Sequence, residues 1–167
     1  MAAPTAPTDP EARLAWLVDR EEIRALVYEF ARSIDDKDQA AYAATFTEDA
    51  ELVLPFGAFS GRAAIAAMQG PPPFMATQHL IGGSVIDVTG DSATARSYVT
   101  PTHAFDASDK TQKAHSGGWY DQTLRRTAEG WRFSRVALVI VWEDARPMMP
   151  TGPGGPHGPA AGAHLTA

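Results

Sequence analysis

This chain of 167 residues predicts an α+β fold: a curved antiparallel sheet wrapped around N-terminal helices. Two patterns carry that prediction. The first third places apolar residues at helical spacing. The stretch from Ala76 to Trp142 instead reads as strand-length runs joined by short turns of hairpin chemistry. Their order is the third observation. Helices come first and a meander follows, which sets helices against one face of an antiparallel sheet rather than between parallel strands. Long consecutive strands joined tightly curve, and helices on the concave side make a cone with an internal pocket.

The elements follow in order. Residues 1–8 are rich in Pro and Ala and predict a disordered tail. One domain is expected over residues 9–146. Asp9 and Pro10 suit the N-cap and first position of a short helix carrying Leu14 and Leu17. Asp19 to Glu22 resembles a capping box and is expected to open a second, longer helix. In that helix Ile23, Leu26, Val27, Phe30, Ala31 and Ile34 form one apolar stripe, with a stop near Ser33 to Asp36. A further helix carries Tyr42, Ala43 and Phe46 inward. Ala50 to Phe56 reads as a strand and Gly57 to Gly61 as a turn, with Ser60 capping a helix from Arg62 to Met68. The Pro71 to Pro73 run ends that helix. Strands are expected at 76–88, 92–103, 114–127 and 130–142. Gly82-Gly83 and Gly117-Gly118 fall inside them as bend or bulge positions. Residues 147–167 are dense in Pro and Gly and predict a second disordered tail, in which Met148 and Met149 are placed to cover a cavity mouth.

Composition excludes several kinds of function. The net charge of −6 and the lack of clustered Lys and Arg disfavour nucleic acid, and Arg125-Arg126 reads as a solvated strand end. With no Cys there is neither a disulfide framework nor thiolate chemistry. The N-terminus does not read as a secretory signal, and no apolar run approaches membrane-spanning length, so the expectation is a cytoplasmic protein without membrane contact. No H-x-H or H-x-x-x-H spacing is present, and no metal is expected.

Two residues stand out chemically. His79, in Thr77-Gln78-His79, sits among apolar and small neighbours, sharing one strand face with Ile81, Gly83 and Val85. It reads either as a core histidine satisfied by backbone or by Thr77, or as a catalytic base. Asp35, beside Asp36 and Asp38 at a helix end, reads either as a solvated carboxylate or, because it follows the last apolar position of the long helix, as one turned inward. A carboxylate beside an imidazole in a dry pocket fixes the tautomer and stabilises the imidazolium formed when the ring takes a proton. His103 and His115 flank one turn and either face each other or, the favoured reading, are surface hairpin histidines. His157 and His164 lie in the C-terminal tail and read as inert. Tyr28, Tyr42, Phe56, Tyr98, His115, Trp119 and Trp142 are candidate substrate-binding walls, and Tyr120 is a further aromatic of the same kind. Plain core packing is the alternative for each aromatic.

Several motifs together resemble the SnoaL-like branch of the nuclear-transport-factor-2-like superfamily. They are Ile34 to Asp38 (IDDKD), Phe46 to Ala50 (FTEDA), Gly57 to Arg62 (GAFSGR), Thr77 to His79 (TQH), Val88 to Ala95 (VTGDSATA), Gly117 to Tyr120 (GGWY) and Glu129 to Phe133 (EGWRF). The resemblance covers about Leu14 to Trp142. It implies scytalone dehydratase- and dehydrochlorinase-type members as the nearest in kind, with Asp35 and His79 on the two catalytic positions. It also implies a cofactor-independent enzyme and a homodimer or homotrimer built on the sheet. The dehydrochlorinase's Lys and Arg positions correspond here to Phe30 and Val136, which argues against a charged leaving-group pocket and for a more apolar substrate or different chemistry. The expected function is a dehydratase-type lyase or isomerase acting on a small hydrophobic substrate. A polyketide-type cyclase and a non-catalytic small-molecule-binding or accessory protein are the alternatives.

Overall fold

A computed structural model describes residues 4–68, 76–106, 108–109 and 111–144. The expectations for the Pro71 to Pro73 run, Met148, Met149, His157 and His164 lie outside those residues. Helix α1 (Pro10–Asp35) is followed by α2 (Gln39–Ala44), β1 (Phe46–Leu54), β2 (Gly57–Ser60) and α3 (Arg62–Met68). The meander then runs β3 (Ala76–Thr89), β4 (Ser92–Ala104), β5 (Lys113–Thr127) and β6 (Gly130–Glu143). The sheet is six-stranded in the order β2-β1-β6-β5-β4-β3 and is not closed. It is also mixed rather than wholly antiparallel, because β1 runs parallel to β6.

The two expected N-terminal helices are one. Asp9 caps it by accepting from the Ala12 N–H at 2.9 Å. Asp19 opens no second helix: α1 runs through it, and its carboxylate bonds side chains of the sheet in place of a backbone N–H. It accepts from Arg126 at 2.7 Å and from the Trp131 indole at 3.2 Å. Leu14 and Leu17, on the first turns of α1, are exposed. The stripe behaves as expected from Ile23 on: Ile23, Val27, Phe30 and Ala31 are buried.

Three smaller expectations are corrected. Phe46 is buried but begins β1 rather than ending α2. Residues 57–60 pair with β1 as a hairpin strand instead of forming an open turn. The Gly61 carbonyl accepts the first bond of α3 from Ile65, so Gly61, with φ of 85°, occupies the cap position in place of Ser60.

Phe30 lies at the centre of the core. Its ring meets Tyr42, Phe46, Tyr120 and Phe133 at centroid distances of 5.4, 5.9, 5.3 and 5.6 Å. These rings fill the middle of the concave side. Five residues further along α1, about 7.5 Å of helix, stands Asp35. Both glycine pairs mark irregular pairing. Register shifts occur between Ile81 and Ser84 and between Gly117 and Gly118. At Gly118 a Cβ would lie 1.8 Å from the Val139 carbonyl oxygen, so only glycine fits there.

Candidate active site

The site begins where α1 ends against an edge strand. β3 is the last strand of the sheet, so the His79 N–H has no strand beyond it to bond. Asp35 takes that place. Its Oδ2 accepts from the His79 backbone N–H at 2.8 Å. Its Oδ1 accepts from the Thr77 hydroxyl at 2.9 Å and lies 2.6 Å from His79 Nδ1. The side chains are 7% (His79) and 24% (Asp35) exposed. Thr77 therefore bonds the carboxylate and not, as one reading of the sequence had it, the ring of His79.

A carboxylate in the last turn of a helix faces the negative end of the helix dipole. Burial also pushes its pKa up. The His79 ring, the His79 backbone and the Thr77 hydroxyl outweigh these effects and hold it below the usual carboxylate range. Asp35 is thus an acceptor only, and the proton between it and the ring sits on Nδ1. With Nδ1 bonded to the carboxylate, Nε2 is the ring nitrogen the carboxylate leaves over.

His103 enters the same site and overturns its reading as a surface hairpin residue. It is 8% exposed, and its ring packs edge-on against His79 at 5.6 Å. Thr77 and His103 are register partners, which turns both inward. Burial first, and then the neighbouring His79, pushes its pKa down to about 4. His115 lies on the opposite face of the sheet, within 3.0 Å of Thr102, so the two histidines do not face each other.

The bulge at Gly82-Gly83 also changes the strand face. Thr77, His79 and Ile81 point inward, and after the bulge Ser84 and Ile86 do so. Ser84 bonds the buried Ser97, whereas Val85 and Gly83 are exposed. A period-two count across the bulge puts Gly83 and Val85 on the wrong side.

The proposed wall residues divide. Tyr42 is buried in the core cluster. Tyr28 is half-exposed on α1, and Phe56 lies at the β1–β2 turn, where its ring meets Phe59. Tyr98, Trp119 and Trp142 line a shallow groove of about 320 Å³ with Leu80 and Val141 on the sheet face turned away from His79. Among the described residues no His, Cys, Asp and Glu grouping forms a metal site, and no helix is long and apolar enough to cross a membrane.

A half-open sheet around one long helix, with an acid at the helix end against a strand histidine, defines the cone-shaped α+β proteins of the NTF2-like class. The chain belongs to the SnoaL-like domain family, whose profile matches residues 16–137. An uncharacterised protein of Mycobacterium bovis is 30% identical over 128 residues, spanning 73% of this chain and 85% of its own length. An NTF2-like protein with a cystatin-like fold from Novosphingobium aromaticivorans is 31% identical, with a TM-score of 0.69 over 83% of this chain and 93% of its own. A scytalone dehydratase-like protein from the same organism superposes with a TM-score of 0.72 at 23% identity, over 80% and 91% of the two chains. A hexachlorocyclohexane dehydrochlorinase of the LinA type 2 form gives 0.72 at 18% identity, over 85% and 98%. The last two are likenesses of fold alone.

Proposed function

We propose that this protein is a cofactor-independent lyase or isomerase of the dehydratase kind, with His79 as general base and Asp35 as the group that orients it. The observation that carries this reading is the three-point hold on Asp35. Two hydrogen bonds come from one histidine and a third from Thr77, and together they leave Nε2 as the basic atom of a nearly buried ring. A solely structural histidine would not need a carboxylate kept ionised against both burial and the helix dipole. The proteins of similar fold include a scytalone dehydratase-like protein and a hexachlorocyclohexane dehydrochlorinase, kinds of enzyme with which this reading is in keeping. His103, held neutral, adds no positive charge to compete with the imidazolium that forms on His79. Phe30 and Val136 are buried core residues, which fits an apolar substrate. The exposed apolar groove around Tyr98, Trp119 and Trp142 is the face on which we place a second copy of the chain.

The test is proton transfer itself. Cyclic ketones and β-hydroxyketones are incubated with the protein in D₂O, and deuterium uptake or loss of water is followed by NMR. His79→Ala is expected to cut the rate by about 10²–10⁴-fold with the fold intact. Undiminished exchange in that variant, or none with the native protein over the whole panel, rules the reading out in favour of a binding role.

A further inference from the structure

Tyr120 lies on the inward side of β5, 4% exposed, with its ring edge-on to Phe30. A buried tyrosine normally gives its hydroxyl a partner. Among the described residues nothing hydrogen-bonds to this one. Burial first, and then the charge of Asp35, raises its pKa, so the phenol stays a protonated donor within reach of the dyad's field.

Its neighbours make a polar strip on an otherwise apolar floor. Tyr120 is register partner of Ser97, and Ser97 of Ser84. The Ser84 and Ser97 hydroxyls are 2.9 Å apart, and Ser97 donates to Gln122 Oε1 at 2.8 Å. Gln122 is buried, and its Nε2 has no hydrogen-bond partner among the described residues. Two unmet donors thus stand at successive inward positions of one strand, about 6.7 Å apart at the backbone. An unmet buried donor is costly, and a strip that keeps one at Gln122 beside the unpartnered phenol of Tyr120 is suited to an acceptor oxygen.

We propose that Tyr120 is a substrate-binding residue whose phenol donates to the carbonyl oxygen of a ring-sized apolar ketone. The proposal rests on the dyad reading only for which end of that ligand reacts. The Tyr120 ring packs on Phe30, and Asp35 stands five residues, about 7.5 Å of helix, beyond Phe30, a length comparable to one ring. Gln122 backs the same end of the ligand.

The experiment compares 1-tetralone with tetralin, the same skeleton without the oxygen, by calorimetry on the full-length native protein and on Tyr120→Phe. The carbonyl stretch of the bound ketone is recorded by infrared spectroscopy. The native protein is expected to bind the ketone about tenfold tighter than the hydrocarbon, with the stretch moved to lower frequency. Tyr120→Phe is expected to lose that preference and the frequency shift. Its melting temperature should stay within ~2 °C, because no partner of the hydroxyl is lost. An unchanged stretch in Tyr120→Phe overturns the proposal, as does a ketone that binds no better than tetralin or a melting point lowered by ~5 °C or more. Binding needs no turnover, so the two readings fail separately. His79→Ala should keep the ketone preference, and deuterium exchange surviving in His79→Ala while Tyr120→Phe loses the preference would remove only the dyad.

Discussion

The two faces of the sheet each join a carboxylate to a nitrogen donor, and they differ in what that pair can do. Outside, Asp121 accepts from Arg96 Nε at 2.7 Å and from Nη2 at 2.9 Å, and it also accepts from the Trp119 indole at 3.1 Å. The Arg96 guanidinium lies 4.7 Å from the Trp119 ring centroid. Inside, Asp35 meets His79. The outer pair has the better fork geometry, yet a guanidinium never gives up its proton and both groups are partly open to water. The inner pair has poorer symmetry but a ring that can change its charge, in a place where water does not screen the change. Burial and the identity of the base separate a fastening from a candidate catalytic dyad.

The sharpest way to break that comparison is to treat both carboxylates alike. Asp35→Asn is expected to lower proton-transfer rates by about 10²–10⁴-fold, since the amide cannot support the imidazolium. Asp121→Asn should leave them unchanged. Equal effects in the NMR exchange assay would erase the distinction.

Next in size is the support beneath the inner site. Phe30→Ala removes the ring on which four others pack and should cost about 3–5 kcal/mol in denaturant unfolding. A loss below ~1 kcal/mol would mean that the cluster is looser than its distances indicate.

Acid should also find the inner face first. The His103 pKa, near 4 against an ordinary 6.5, lies below its unfolded value, so the unfolded chain binds more protons between those two pH values. Stability from this residue is therefore complete above pH 6.5 and falls as pH drops toward 4. Asp35, also depressed, adds a further loss below its ordinary 3.8. Melting temperatures across pH 3–8 should show this slope, and His103→Leu should flatten its upper part. A slope identical in that variant would place its origin elsewhere.

The smallest expected effect is outside. Arg96→Ala should cost about 0.2–1 kcal/mol, because both partners of the ion pair are partly exposed, and added salt should shrink the difference.

Much of this architecture was legible before any coordinates. The strand runs from Ala76 to Trp142 fall within a residue or so of β3 to β6, because Gly90 and Gly130, both at positive φ, punctuate the chain by local geometry alone. The stripe from Ile23 to Ala31 and the stop near Asp35 were equally local. Asp35 and His79 were nominated as a pair from the motif resemblance and the position at the helix end. The failures share a cause. Leu14 and Leu17 looked like a separate helix because Asp19 carries a capping signature, and only a tertiary contact with Arg126 and Trp131 cancels it. Tyr98, Trp119 and Trp142 looked like pocket walls because an aromatic on a strand gives no sign of which face is concave.

What the sequence determined by itself was the order and kind of its elements, since helical spacing, turn glycines and capping residues act within a few positions. Which face of each strand turns inward was decided only by the tertiary structure. The bulges at Gly82-Gly83 and Gly117-Gly118 shift the two-residue period partway along β3 and β5. The packing of α1 then selects one side as the interior, so His103 and Tyr120 join His79 and Asp35 there while His115 and Trp119 face away.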